Sequence, residues 1–242
     1  MTEGRGDGGK DETRRRGDAE TGGMKRIAFG STEAPPPPSK IVAVGRNYRE
    51  HAAELGNIAP DQEPLLFLKA PSALVVGEGE IVLPLESSRV DYEGELALVI
   101  GRTARHWPED RWLEVLAGVC CANDVTARDL QKNDVQWARA KSFDTFCPIG
   151  PQIVSGLDPS DLAIETRVNG VVKQSGRTSQ MVFSPAFLVA YISRMMTLLP
   201  GDLILTGTPA GIGPLSPGDL VEVEIERIGV LKNRVAHGED RR

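Results

Sequence analysis

Three acidic side chains stand where they could gather a cation. In the run Asp91-Tyr92-Glu93-Gly94-Glu95-Leu96-Ala97-Leu98-Val99-Ile100, Glu93 and Glu95 are two positions apart. Alternate residues of a strand share a face, so an extended backbone here aims both carboxylates the same way. The uninterrupted apolar stretch from Leu96 to Ile100 puts that strand in the interior. Two adjacent carboxylates near a core lose hydration and repel each other, at a cost of several kcal/mol unless a cation neutralises them. A hard divalent ion meets that need, and an all-carboxylate set favours Mg²⁺ or Mn²⁺ over Zn²⁺. The competing reading is a strand edge with both acids in solvent. Asp124 closes the apolar stretch Cys120-Cys121-Ala122-Asn123 and offers a third oxygen at a cleft mouth, or else caps the helix that follows.

Other residues could work beside such a centre. His51 and Glu54 lie three apart in Tyr48-Arg49-Glu50-His51-Ala52-Ala53-Glu54-Leu55 and share one helical face. A carboxylate so placed can orient an imidazole that takes a proton from a bound water, although such pairs are usually plain surface hydrogen bonds. Lys141, in Arg139-Ala140-Lys141-Ser142-Phe143-Asp144, could meet a substrate carboxylate or an enolate oxygen, or be a solvated charge. Thr206-Gly207-Thr208-Pro209-Ala210-Gly211-Ile212-Gly213 lacks the lysine and the following helix of a phosphate loop, but its amides could hold a carboxylate. Asp129 reads as a capping or structural residue, and His106 and His237 as surface positions.

These residues need a frame. Short apolar runs at Lys40 to Gly45, Leu65 to Lys69, Ala73 to Gly77, Glu80 to Pro84, Glu93 to Ile100, Val119 to Val125 and Gly150 to Val154 predict a meandering β-rich body. Leu162 to Val168 and Val171 to Gln174 flank Asn169-Gly170, a two-residue hairpin signal. Strands over Asp202 to Thr206 and Leu220 to Arg227 close the body. Helices are expected at Tyr48 to Leu55, at Trp112 to Leu116, in part over Ala127 to Ala138, and best at Pro185 to Leu198. The fold class is therefore mainly β (α+β) with short peripheral helices. Residues 1 to about 23 have almost nothing to bury and are expected to be disordered. Met24 to Phe29 reads as a short strand, with Met24 a candidate start, and Pro35 to Pro38 as a stiff spacer. This divides the chain into an N-terminal extension over 1–39, a catalytic domain over 40–236 and a tail over 237–242.

Composition narrows the function classes. A formal charge of −6 and a pI near 5.3 argue against a nucleic-acid surface, which needs concentrated positive charge. No apolar run approaches the roughly 20 residues that span a bilayer, and there is no secretory core at the N-terminus. Three cysteines, Cys120, Cys121 and Cys147, form no framework, which fits a reducing, cytoplasmic setting.

Taken in order, the motifs resemble those of the fumarylacetoacetate hydrolase family. They are Val44-Gly45-Arg46-Asn47-Tyr48 with His51 and Glu54, Phe67-Leu68-Lys69-Ala70-Pro71-Ser72, Asp91 to Leu96, Asn123 to Gln131, Ala140 to Asp144, and Leu205 to Pro209 with Gly211-Ile212-Gly213. The resemblance spans about residues 40 to 235. It implies a mixed β-sandwich roll, commonly a homodimer, with one Mg²⁺ or Mn²⁺ per subunit on Glu93, Glu95 and Asp124. It further implies that His51 and Glu54 activate water, that Lys141 meets the reacting oxyanion, and that Arg128, Gln131 and Thr208 lie near the substrate's carboxylate or keto groups. The short connection from Gln131 to Trp137 implies a modest lid. The stretch before residue 40 is expected to be too small for the extra N-terminal domain some relatives carry.

The expected substrate is a small carboxylated keto acid. The first expectation is a metal-dependent hydrolase that cleaves a C–C bond in an acylpyruvate such as fumarylpyruvate, through an enolate. The alternative is an isomerase or decarboxylase of hydroxyheptadienedioate-type or oxaloacetate-type substrates, and a third class is a metal-stabilised binding protein without turnover.

Overall fold

A strand that is apolar on both faces must be covered on both faces, and the chain is built around one such strand. In Gly94–Ile100 every residue is buried. Leu96, Leu98 and Ile100 enter one core with Val42, Val44, Val119 and Cys121. Ala97 and Val99 enter a second core with Ile41, Ala43, Cys120, Ala122, Ile149 and Ile153. The computed structural model that gives this arrangement describes Met1 and residues 24–238. The disorder expected for residues 1 to about 23 and most of the tail expected over 237–242 lie outside the described residues.

Gly94–Ile100 sits in the middle of an eight-stranded mixed sheet. Its order is Lys25–Ile27, Cys147–Ser155, Leu116–Asn123, Gly94–Ile100, Leu203–Leu205, Ile41–Gly45 and Leu65–Lys69, with Leu74–Val76 running parallel beside Cys147–Ser155. A five-stranded sheet follows the order Val171–Arg177, Ala163–Val168, Leu220–Ile225, Gly229–His237 and Glu80–Leu83. It feeds both cores: Ile164, Val223, Ile225 and Leu231 enter the first, and Ile81, Val168, Val221 and Val235 the second. The smaller sheet therefore wraps the larger one, which is the rolled sandwich expected. A three-stranded ribbon of Gly213–Pro214, Val90–Tyr92 and Thr126–Ala127 joins the strand ends where the acids lie.

Helices are short and peripheral. The longest, Pro185–Met195, begins with Ser184 accepting the Phe187 N–H at 3.1 Å and with proline in its first turn. It lays Leu188, Val189 and Ile192 on the first core. Asn169 and Gly170 both have positive φ, 53° and 77°, as the hairpin signal requires.

Two expectations are corrected. Leu65–Lys69, Leu74–Val76 and Glu80–Leu83 do not form a meander: they pair with Ile41–Gly45, Cys147–Ser155 and Gly229–His237 respectively. Closeness in sequence selects turns, but burial of each apolar face selects partners, and these partners are distant. Nor is the segment before residue 40 separate from the body. The short strand expected over Met24 to Phe29 forms as Lys25–Ile27, but it pairs with Cys147–Ser155 and buries Ile27, and Ser39 donates from both N and Oγ to Asp202. The proline run is docked as well, since the Pro36 carbonyl lies 2.0 Å from where a Cβ on Gly201 would stand. At the other end, strand Gly229–His237 carries order one residue into the expected tail.

One glycine in the central strand is a packing requirement. A Cβ on Gly94 would meet Thr166 Oγ1 at 2.0 Å. Gly94→Ala is expected to lower unfolding free energy by about 1–3 kcal/mol through overpacking. Adding Thr166→Ala should recover most of that loss in chemical denaturation. Strictly additive effects would show that the clash is not the cause.

Candidate functional site

The register of two antiparallel strands brings the three acids together. Gly94 pairs with Asn123 and Glu95 with Ala122, and the Asp124 N–H donates to the Glu93 carbonyl at 2.8 Å. Glu93 and Glu95 share the face of Ala97 and Val99, and Asp124 emerges beside them at the end of Leu116–Asn123. All three are buried, at 4%, 1% and 1% exposure, with one carboxylate oxygen of each within 4.8 Å of the others. On an octahedral magnesium-sized ion neighbouring oxygens are about 3 Å apart and opposite ones about 4.2 Å, so the three would draw inward to become common ligands. The alternatives of solvent-facing acids and of Asp124 as a helix cap both fall away, because Ala127 holds the N-cap position of Arg128–Asn133.

The electrostatic balance tests whether a cation belongs there. Asp91, Glu93, Glu95 and Asp124 are buried together with Lys69, Arg128 and Lys141, and the more exposed Arg89 forks onto Asp91. Lys141 Nζ donates to Glu93 Oε2 at 2.9 Å and to Asp124 Oδ2 at 2.5 Å. Lys69 Nζ donates to Asp124 Oδ1 at 2.6 Å and to the Val125 carbonyl at 3.2 Å. Arg128 spans Asp91 Oδ2 at 2.9 Å, Glu93 Oε1 at 2.5 Å and Gln131 Oε1 at 2.6 Å. Burial works against the Glu93 charge, but Lys141 and then Arg128 outweigh it and hold its carboxyl far below the ordinary range. Glu95 has no such partner: the Gly207 N–H reaches it at 2.7 Å, and among the described residues no cation hydrogen-bonds or ion-pairs with it, Lys141 acting only through its charge. Burial, and then the charges of Asp124 and Glu93, push its carboxyl well above the ordinary range. The Tyr48 hydroxyl, which feels the Glu95 charge, is buried without a hydrogen-bond partner. Glu95 is thus the one acid of the set without a cationic partner among the described residues, and a hard divalent ion fits the oxygen donors there.

The remaining predicted residues line the same pocket of about 330 Å³, with the exception of Glu54. His51 lies on helix Arg49–Glu54, its Nδ1 3.4 Å from Glu54 Oε2. Burial lowers the His51 pKa below 6.5, against the opposing pull of Glu93, so the ring is neutral at pH 7. Glu54 stands behind it and accepts the Gly211 N–H at 3.2 Å. The glycine-rich turn therefore does hold carboxylates, but they belong to Glu95 and Glu54 of the protein itself. Lys141 is not a solvated charge: it is buried and lies 5.0 Å over the Phe67 ring. Gln131 keeps its amide NH₂ after accepting from Arg128. Thr208 lines the pocket with its hydroxyl proton committed to the Gly94 carbonyl at 2.8 Å and with Gln174 donating to it at 2.7 Å. Asp129 anchors the Ser87–Ser88 turn, which holds its carboxyl low, at about 2.

Sequence reading assigned no role to Lys69 or Asp91. Lys69 ends an apolar strand, and a lysine there reads as a surface flank; its depth follows from pairing with Ile41 next to Val125. Asp91 precedes the acidic pair and is the counter-charge that orients Arg128. Among the described residues no helix is long and apolar enough to cross a membrane.

The likenesses to known proteins agree with this geometry. A sequence model of the fumarylacetoacetate (FAA) hydrolase C-terminal family matches residues 40–236. A mitochondrial oxaloacetate tautomerase of Homo sapiens is 46% identical over 210 residues, covering 82% of this chain and 67% of that one. The crystal structure of 5-carboxymethyl-2-hydroxymuconate delta-isomerase from Mycobacterium smegmatis matches with a TM-score of 0.79 at 49% identity, over 86% of this chain and 82% of that one. Fumarylpyruvate hydrolase from Pseudomonas aeruginosa, solved in complex with Mn²⁺ and pyruvate, matches with a TM-score of 0.81 at 32% identity, over 88% and 95%. A match of this length, with relatives at close to half identity across most of the chain, makes the protein a member of the fumarylacetoacetate hydrolase family.

Proposed function

We propose that this chain is a divalent-cation-dependent enzyme acting on a small 2-oxo acid, and that its reaction is proton transfer at the carbon beside the keto group, as a tautomerase or isomerase. The observation that carries the reading is a neutral, carboxylate-backed His51 in the same pocket as three buried acids, of which Glu95 has no cationic hydrogen-bond partner among the described residues. Sequence expectation put hydrolysis first. The relatives at 46% and 49% identity bear tautomerase and isomerase names, while hydrolase names stand at 44% and 32%, which tips the weight to proton transfer.

Each group then has a task. With Nδ1 turned to Glu54, His51 keeps Nε2 as its basic nitrogen and takes the substrate proton there. Lys141 has three N–H donors, two of them on Glu93 and Asp124, and offers the third to the oxygen on which charge develops. Arg128 and the free amide of Gln131 hold the carboxylate next to the keto group, and Thr208 closes the wall. A bound Mg²⁺ or Mn²⁺ on Glu93, Glu95 and Asp124 would supply Lewis acidity toward the keto oxygen.

Hydrolysis of an acylpyruvate is the second reading. Its support is that the chain matches 95% of the length of fumarylpyruvate hydrolase, and that the same His51–Glu54 pair could draw its proton from water instead. A panel of oxaloacetate, hydroxymuconate-type diacids and acylpyruvates, run with and without EDTA, separates the two. Keto–enol interconversion without chain cleavage, abolished by EDTA and restored by Mg²⁺ or Mn²⁺, is the expected result. Pyruvate release from acylpyruvates would move the assignment to hydrolysis, and turnover indifferent to EDTA would end both readings.

The histidine makes a separate prediction. Its pKa is depressed, so the neutral base persists down to a pH below 6.5 and the acid limb of kcat/KM should fall there. The Glu54 hydrogen bond and charge raise that pKa; Glu54→Gln should shift the limb to still lower pH while lowering the plateau. His51→Ala should cost about 10²- to 10⁴-fold in kcat with cation binding intact by calorimetry. A limb above 6.5, or one unmoved by Glu54→Gln, would remove His51 from its role as base.

A further inference from the structure

Five basic residues line the pocket: Arg46, His51, Arg128, Lys132 and Lys141. Arg128 and Lys141 are bound to buried carboxylates, and His51 faces Glu54. Lys132 is exposed on the surface. Arg46 is different. It is half-buried, and among the described residues no side chain or backbone group hydrogen-bonds or ion-pairs with it. Removing a guanidinium from water without a counter-charge is unfavourable, and the other arginine of this pocket has three side-chain partners.

The backbone of Arg46 adds a second, independent observation. Its φ is 59°, in the left-handed region that a side-chain-bearing residue seldom occupies. Neighbours on both sides hold it there. Gly45 is packed so tightly that a Cβ would meet Trp137 at 3.1 Å and Leu65 at 3.2 Å. Asn47 is buried and locked by three hydrogen bonds, donating to the Phe183 and Thr206 carbonyls and accepting from the Phe183 N–H. A strained residue fixed between two anchors, with its charge unsatisfied and facing a pocket, fits a residue kept for a ligand.

We propose that Arg46 binds a second carboxylate of the substrate, distal to the 2-oxo acid head, and so selects short 2-oxo dicarboxylates over 2-oxo monocarboxylates. The proposal rests on the 2-oxo acid reading above and sharpens it. The floor of the pocket, with Arg128, Gln131 and the three acids, takes the 2-oxo acid end. Arg46 forms no ion pair with any floor carboxylate and is a separate positive pole on the wall. A guanidinium fork matches a carboxylate in two parallel hydrogen bonds. A volume of about 330 Å³ is at the small end for ligand pockets and suits a short chain.

The test compares 2-oxoglutarate with 2-oxopentanoate, which share a head and a five-carbon chain and differ in the distal carboxylate. Calorimetric binding to the full-length, Mg²⁺-loaded protein should favour 2-oxoglutarate by about 10- to 100-fold. Arg46→Met should remove that preference and leave 2-oxopentanoate affinity unchanged, and Arg46→Lys should keep part of it. Arg46→Gly relieves the left-handed backbone, so it should lose the preference without lowering Tm. Three results would overturn the proposal: no preference in the unaltered protein, equal weakening of both ligands in Arg46→Met, or no change for either. Absence of EDTA-sensitive turnover would count against the enzymatic reading alone, because the binding comparison is read without any reaction.

Discussion

Four carboxylates placed inside a protein repel one another through a medium of low dielectric and lose the water that would otherwise solvate them. Two unit charges about 4 Å apart interact by roughly 4 kcal/mol at an effective dielectric near 20. Asp91, Glu93, Glu95 and Asp124 can share an interior only if positive charge is delivered to the same place. The chain delivers it from three separate segments: the end of strand Leu65–Lys69, the first residue of helix Arg128–Asn133 and the last residue of helix Ala138–Lys141. Each cation ties its segment to the cluster, so the acids also determine where those segments lie. Taking away one partner of such a pair costs about 3–5 kcal/mol, because it strands the other charge in the interior. The more exposed Arg89 adds a fourth cation on Asp91, but among the described residues no cation hydrogen-bonds Glu95, and that gap is where the proposed divalent ion would sit.

The scaffold that makes this possible is the central strand with apolar residues on both faces. Its odd positions carry Glu93 and Glu95 at one end and Ala97 and Val99 along the rest, so one face passes from charge to core within a few residues. Antiparallel pairing with Leu116–Asn123 then brings Asp124 opposite Glu93. The turn after Leu203–Leu205 completes the enclosure from the other side: Gly207 gives its N–H to Glu95, and Gly211 gives its N–H to Glu54. One turn therefore supports both a candidate cation ligand and the carboxylate behind the imidazole. The candidate cation site and the proposed proton acceptor are joined through a few residues of backbone.

Much of this was legible from residue types and spacing. The two-residue interval of Glu93 and Glu95 beside an apolar run implied a shared face in the interior, and both implications match the structure. The Asn169-Gly170 hairpin and the proline-started helix at 185 were legible because local chemistry alone determines them. What was hidden depended on distant pairing. Lys69 reads as an ordinary polar end to a strand, and only its alignment with Ile41 takes the ammonium to Asp124. The strands from residue 65 to 83 read as a meander because their turns are short, yet each finds its partner elsewhere. Pro35 to Pro38 read as a spacer, and the short strand expected over Met24 to Phe29 is present as Lys25–Ile27; what composition did not reveal is that this strand and the Asp202 carboxylate dock the segment on the body.

The cluster and the pocket wall carry different kinds of information. The floor, with its acids, Lys141 and Arg128, suits any reaction that builds negative charge on an oxygen beside a 2-oxo acid, which fits a family whose members bear tautomerase, isomerase and hydrolase names. Such a floor cannot by itself choose among substrates, since every candidate presents the same head group to it. Discrimination has to come from side chains that the floor's charge balance leaves uncommitted. On this wall those are few: Arg46, whose guanidinium is unpaired among the described residues, exposed Lys132, and the apolar surfaces of Leu55, Phe67 and Trp137. An arginine that helped neutralise the floor would already be committed to the acids and could not report on the far end of a ligand. Because Lys69, Arg128 and Lys141 serve the acids, Arg46 is left without a counter-charge, and selectivity can vary at the wall while the interior chemistry stays the same.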